Sequence, residues 1–259
     1  PWGSDILIFP DSSFLHKFLI GNIIRRADAI VCDAETVKIK IMDIVPNRDE
    51  ITVFPWGIDL KLFQPQRNKF MYDNFSLKDS ITMICTRNHE PIYGIEILLE
   101  SFRKLVKINN NMRLVILGSG SLTGEYLKYI DDNKLKNHVK LVGKVVNSDL
   151  PKYLSGSDIY VSASFSDGTS VSLLEAMACR LPVIVSDIPS NREWISNGDN
   201  GFLFESGNCE DLLDKMVELI NNPELIKIQS ENNYIIASQK ANWNNNFKIL
   251  EKVYNKITC

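Results

Sequence analysis

The 259-residue chain is 44% hydrophobic and 24% charged, an ordinary balance for a globular protein and enough for one large domain or two small ones. Its net charge of -3 argues against a polyanion binder, because nucleic-acid contact usually requires a basic face that neutralises phosphates, and leaves open only a local basic patch. No apolar run reaches the roughly 18 residues of a spanning helix, so no membrane span is expected.

The first apolar run, "DILIF" (5–9), is expected to be a strand, as are "AIVC" (29–32) and "ITVF" (51–54). The opening "PWGSDILIFPD" lacks a charged stretch followed by a long apolar one, so no export signal is expected. Three strands and two helices before residue 60 cannot bury a core of the usual domain size, and this segment reads as the end of a domain whose beginning is absent. Pro55, Pro65 and a polar stretch through Ser80 read as a linker.

A second strand series then starts: "ITMICT" (81–86), "RLVILG" (113–118), "VKLVG" (139–143), "DIYVSAS" (158–164) and "PVIVSD" (182–187). These runs are continuous rather than alternating, as in strands covered on both faces of a parallel sheet. Between them, residues 94–107 place Ile95, Leu98, Leu99, Phe102 and Val106 on one helical face, and residues 124–135 do so more weakly. Strand, helix, strand in this order predicts an α/β fold with a Rossmann-like doubly wound parallel sheet. After Asn221-Asn222-Pro223 only helices follow, and residues 242–257 repeat Trp243, Phe247, Leu250, Val253, Tyr254 and Ile257 at helical spacing. Residues 1–64, 65–240 and 241–259 are the expected divisions.

Cys32, Cys85, Cys179, Cys209 and Cys259 are odd in number and without CxxC spacing, which suggests neither a disulfide framework nor a zinc site and fits a reducing compartment. His16, His89 and His138 lack ligand spacing, so no metal is expected, and His89 is expected at the surface. "LGSG" (117–120) has Thr123 where a dinucleotide fingerprint would need another glycine, and reads as a tight turn.

The chemistry concentrates in "SDGTSVSLLEAMACRLPVIVSD" (166–187). A strand ending near Ser164, a loop with Asp167 and Gly168, and a helix from about Ser170 to Cys179 form the arrangement in which helix N-termini bind anions beyond a parallel sheet. The N–H groups of Thr169, Ser170, Val171 and Ser172 suit a phosphate, and Gly168 admits close backbone approach. Glu175, one turn into the helix, is placed to accept from sugar hydroxyls. Ser172 and Glu175 equally match a capping box, in which Glu175 only satisfies a backbone donor.

Asp167 and Glu175, eight positions apart and followed by "LLEAMACRLPVIVSD", resemble the retaining family 4 glycosyltransferases of the GT-B fold. "WGSDIL", "RRADAIVCDAE", "ITVFPWGIDLKLFQP", "ILGSGSL", "VKLVGKV" and "NREWISNGDNGFLF" follow in the family's order, so the resemblance covers nearly the whole chain. It implies the C-terminal half of a GT-B fold with a partial N-terminal domain, and a last helix that crosses back onto that domain. It assigns Glu175 to the ribose and Asp167 to hydroxyls of the transferred sugar. Arg87 falls on the family's diphosphate-binding arginine, but Tyr93 stands six residues later where a lysine is usual. Asp167 is itself a departure from the usual glutamate. Gly118 and Val142, at the ends of successive strands, join the nucleotide-binding set. Glu193 is either a further sugar ligand or a charge at a helix start.

The implied activity is transfer of a sugar from a nucleotide diphosphate sugar, a UDP- or GDP-sugar, to an acceptor hydroxyl with retention of configuration, in surface glycan or glycoconjugate synthesis. No separate cofactor or metal is implied. Arg87 and Asp167 are the catalytic candidates. The acceptor is a glycan, a lipid-linked sugar or a small molecule, and nucleic acid is no partner. A cytoplasmic location, at the inner face of a membrane through peripheral contact, follows from that family. The other reading is a nucleotide-sugar binding module or degenerate partner subunit without turnover of its own.

Overall fold

The computed structural model describes residues 1–48, 50–66, 70–71 and 80–258. Residues 67–69 and 72–79 of the expected linker lie outside them. The N-terminal unit contains α1 (Ser4–Leu7), α2 (Phe14–Arg26), β1 (Ile30–Cys32), α3 (Glu35–Ile44) and β2 (Ile51–Val53), with β1 and β2 paired in parallel. The strand expected at 5–9 is not formed: the segment is α1 followed by a 3-10 turn, Phe9–Ser12. Asp5 accepts from the amides of Trp2 and Gly3 at 3.0 Å each, which anchors a helix start, and Pro10 has no N–H to give a strand ladder.

Six parallel strands make the larger sheet: β3 (Ile81–Cys85), β4 (Met112–Leu117), β5 (Val139–Gly143), β6 (Ile159–Ser162), β7 (Val183–Ser186) and β8 (Phe202–Phe204). Their spatial order is β5-β4-β3-β6-β7-β8. The chain lays strands outward from β3 to β5, then returns to the centre at β6 and proceeds the other way. Connections on the two sides of β3 and β6 therefore leave toward opposite faces, opening a crevice at the carboxyl ends of those strands.

Apolar strands covered on both faces account for this sheet. α4 (Ile95–Ile108) buries Ile95, Leu98, Leu99, Phe102 and Leu105 against one face, with Val106 at the margin of the stripe. α5 (Thr123–Asp132) and α9 (Cys209–Ile220) extend that layer. The opposite layer is built on α7 (Val171–Ala178), flanked by the short α6 (Leu150–Leu154) and α8 (Pro189–Arg192) and covered by α10 (Pro223–Lys240). β8, although no shorter than β1 and β2, was not among the expected strands.

α11 (Trp243–Thr258) returns to the N-terminal unit. Trp243 stacks on Trp56 with ring centroids 5.6 Å apart and planes 4° from parallel, and Lys256 pairs with Glu50 at 3.0 Å. Gly57 permits this crossing, since a Cβ there would lie 2.3 Å from the backbone of Trp243. Of the expected apolar stripe, Tyr254 and Ile257 remain exposed.

Candidate functional site

β3 ends at Cys85 and β6 at Ser162, so the residues that follow, Arg87 and the 163–170 loop, stand on either side of the crevice where the sheet reverses its order. The structure joins them directly. Arg87 donates from one terminal nitrogen to Ser170 Oγ at 2.9 Å and from the other to Asp167 Oδ2 at 2.6 Å. Its guanidinium lies 4.2 Å from the centroid of the Tyr93 ring. The aromatic side chain where a lysine was expected thus holds the arginine by a cation–π contact.

Arg87 is only 7% exposed, and its Nε has no partner among the described residues. Burial opposes its charge, but Asp167, Tyr160, Tyr93 and Cys85 outweigh burial and raise its pKa. A cation with one donor left over is therefore fixed at the crevice. A buried donor without an acceptor carries a desolvation cost that an anion can relieve.

Glu175 is the fifth residue of α7, which starts at Val171 with Ser170 as its N-cap. That register rules out the Ser172–Glu175 capping box, because neither residue occupies the position the box requires. Glu175 is buried and makes no side-chain hydrogen bond among the described residues. Burial pushes its carboxyl up to about 7, against the pull of Arg87. The amides of Val171 and Ser172 also have no protein acceptor among the described residues.

Gly118 closes β4 at φ 102°, and a Cβ there would come within 2.5 Å of the Arg87 carbonyl oxygen. Glycine is required so that the two strand ends can meet. The Gly118 amide donates to the Gly143 carbonyl at 2.8 Å, which puts Val142, half-buried near the end of β5, on the same rim. His89, expected at the surface, is fully buried: Nδ1 pairs with Thr123 Oγ1 at 2.8 Å and the ring lies edge-on to Tyr126. Its role is to tie the loop after β3 to the start of α5, and burial lowers its pKa.

Thr169 differs from the expected phosphate ligand. Its amide donates to Asp33 Oδ2 at 3.0 Å, and its hydroxyl donates to the Asp33 carbonyl at 2.5 Å. Asp33 follows β1 and belongs to the N-terminal unit, so it reaches across the crevice. Its Oδ1 is buried without a partner among the described residues, and burial lifts its pKa to about 6. A Cβ on Gly168 would meet the same carboxylate at 2.5 Å and the Trp2 carbonyl at 2.8 Å.

A second contact crosses the other way. Glu193 accepts from the Glu35 amide at 3.0 Å, the Thr36 amide at 2.8 Å and Thr36 Oγ1 at 2.7 Å, capping the start of α3. Sequence reasoning offered a sugar ligand or a charge at its own helix start, and the structure places the charge at the start of another helix, α3. Asp33 was missed altogether. Its one signal was an acidic residue directly after an apolar strand run, where parallel strands present ligands.

Comparison with known proteins places this geometry. The profile of the family described as "Glycosyl transferases group 1" matches residues 66–236. The chain belongs to that family. An uncharacterized glycosyltransferase of Methanocaldococcus jannaschii is 26% identical over 249 residues, covering 95% of this chain and 63% of the relative. The poly(ribitol-phosphate) alpha-N-acetylglucosaminyltransferase of Staphylococcus aureus is 34% identical over 138 residues, 52% of this chain and 27% of its own length. Among solved structures, HepE of Anabaena in complex with UDP-glucose superposes with a TM-score of 0.86 at 18% identity, covering 95% of this chain and 69% of that one. The fold is that of the GT-B glycosyltransferases. The chain thus spans less than two thirds of the two curated relatives it is compared with here.

Proposed function

We propose that this chain is the nucleotide-sugar donor site of a retaining glycosyltransferase, with residues 65–240 holding the donor and residues 1–64 forming the end of an acceptor-side domain onto which 241–259 returns. The observation that carries the reading is the buried Arg87, bonded to Asp167 and Ser170 at the reversal of the sheet, its Nε without a partner among the described residues. A diphosphate is the anion such a site suits, with the free amides of Val171 and Ser172 beside it.

In this reading Glu175 accepts from the ribose hydroxyls, and Asp167 from hydroxyls of the sugar. The bond between the anomeric carbon and the diphosphate oxygen breaks as the acceptor oxygen bonds to that carbon from the same face, and the acceptor's proton passes to the leaving phosphate. The negative charge that develops on the diphosphate is met by Arg87 and the helix amides, which are fixed before the reaction starts. Tyr93 supplies no charge of its own and acts by holding Arg87 in place.

UDP as the nucleotide is supported by the UDP-glucose bound to HepE. The alpha linkage in the Staphylococcus relative's name supports retention, since an α product from an α-configured donor is retention. Its poly(ribitol-phosphate) acceptor supports a role in surface glycan synthesis. Among the described residues no helix is long and apolar enough to cross a membrane, and contact with an inner membrane face would be peripheral. Tyr93 in place of a second cation also supports another reading, a nucleotide-sugar binding subunit without turnover.

Calorimetric titration with UDP, GDP and ADP, beside Glu175→Ala, tests the proposal. Preferential binding of one nucleotide that the variant loses supports it. A folded chain that binds none of them refutes it. Release of nucleotide from the matching nucleotide sugar in the presence of simple alcohols separates enzyme from binding subunit.

A further inference from the structure

Between the two cross-unit contacts lies a cavity of about 200 Å³. Leu7 and Thr36 of the N-terminal unit face Phe165, Asp167, Pro189 and Ser190 of the six-stranded unit across it. The Asp33–Thr169 contact and the Glu193 cap on α3 bracket this region, so the space is bounded by both units. Its floor is continuous with the donor crevice, because Asp167 also holds Arg87.

Ser190 is 3% exposed, and its hydroxyl has no hydrogen-bond partner among the described residues. A buried hydroxyl left unpaired loses its hydration without compensation, so its position in a cavity wall points to a polar ligand group. Asp167 has one oxygen on Arg87 and no partner for Oδ1 among the described residues. One wall thus offers a hydroxyl and a carboxylate oxygen, and Leu7, Phe165 and Pro189 offer apolar surface. That mixture suits a ring with hydroxyls at its edge and C–H groups on its faces. At about 30 Å³ for each water of liquid volume, the cavity holds roughly six or seven waters, the room taken by one pyranose ring rather than two.

We propose that this cavity receives the sugar of the donor and that Ser190 is a specificity-determining residue, reading one ring hydroxyl beside the one read by Asp167. The assignment rests on the donor-site reading above. The nucleotide lies on the Arg87 side of Asp167 and the sugar on the Ser190 side, so changes at Ser190 act on the sugar alone.

The test measures affinity for UDP, UDP-glucose and UDP-galactose in the wild-type chain, Ser190→Ala and Ser190→Val, each shown by thermal melting to be folded. Ser190→Val replaces the hydroxyl with two methyl groups at the cavity wall and is expected to weaken the preferred UDP-sugar by about tenfold while leaving UDP unchanged. Ser190→Ala removes the hydroxyl without adding bulk and is expected to narrow the preference between the two epimers by several fold. Equal losses for UDP and UDP-sugar, or UDP-sugar binding indifferent to both substitutions, overturns the cavity's assignment and leaves the donor site standing. Failure of the wild-type chain to bind UDP, GDP or ADP overturns the donor site and this assignment with it.

Discussion

The six-stranded unit and the N-terminal unit draw on similar residues and use them differently. α4 turns Ile95, Leu98, Leu99, Phe102 and Leu105 into the core with no measurable exposure. α2, of nearly the same length, buries only Gly21 and Ile24, while Phe14, Leu15, Phe18, Leu19 and Ile23 face outward. Ten of the nineteen exposed large hydrophobic residues described lie within residues 2–42. The larger unit completes its own core. The smaller one is held by cross-unit contacts from Asp33, Glu193 and the Trp56–Trp243 stack. The geometry of the crevice depends on how the smaller unit is attached to the larger.

The sharpest contrast is between Phe102→Ala and Phe18→Ala. The first leaves a cavity in a closed core and is expected to lower stability by about 3–5 kcal/mol in denaturant unfolding. The second removes a side chain that is 56% exposed and is expected to change stability by less than about 0.5 kcal/mol. Similar costs at the two positions would mean that α2 packs in solution against something that covers it.

Arg87→Ala follows in size. It leaves Asp167, 20% exposed, without its cation and Ser170 Oγ without a donor, and is expected to cost about 3 kcal/mol of stability while abolishing nucleotide binding. Arg87→Lys keeps a charge but cannot reach both partners in the same plane, so it should recover stability more than affinity.

Glu175 gives an effect that depends on pH. Its folded pKa of about 7 lies above the ordinary carboxylate value of 4.5. The folded state therefore holds a proton that the unfolded state has released, and the fold loses stability as pH rises from about 4.5 to 7. Glu175→Gln should flatten that decline in melting temperature. Ribose hydroxyls donate to the ionised carboxylate, so nucleotide affinity should rise as pH passes through 7, by about 1–3 kcal/mol overall, and the variant should lose this dependence. An unchanged pH profile in Glu175→Gln would remove Glu175 from the site.

How much of this was legible follows from where each signal resides. Five of the six strands of the large sheet, α4 and the Asp167–Glu175 loop and helix are written locally, as continuous apolar runs, helical spacing and turn residues. Arg87 was assigned only through the family resemblance. Its bonds to Asp167 and Ser170, 80 and 83 residues away, could not be read from spacing. The same holds for Asp33 and Glu193, whose partners lie 136 and about 157 residues away and whose roles exist only once two units meet. His89 was misjudged because a polar side chain near a strand end gives no local sign that a neighbouring helix will cover it. The strand expected at 5–9 failed for the opposite reason, since an apolar run too short to show a period was settled by Asp5 and Pro10 at its ends.

Glu193 yields a small expected effect and the most specific one. Its carboxylate replaces a missing N-cap on α3, because Ala34 occupies that position and has no side-chain acceptor. Caps of this kind are worth about 1 kcal/mol, and Glu193→Gln keeps the shape while weakening three bonds that involve a charged acceptor. Because α3 belongs to the unit that does not complete its own core, the loss should appear as faster amide exchange in α3 and β1, with α4 and β3 unchanged. Uniform loss of protection across both units would show that they unfold together and that the division drawn from burial is not a division in stability. Loss confined to α3 and β1 would show the N-terminal unit opening alone, carrying Asp33 away from Thr169 and widening the crevice without unfolding the sheet that holds Arg87.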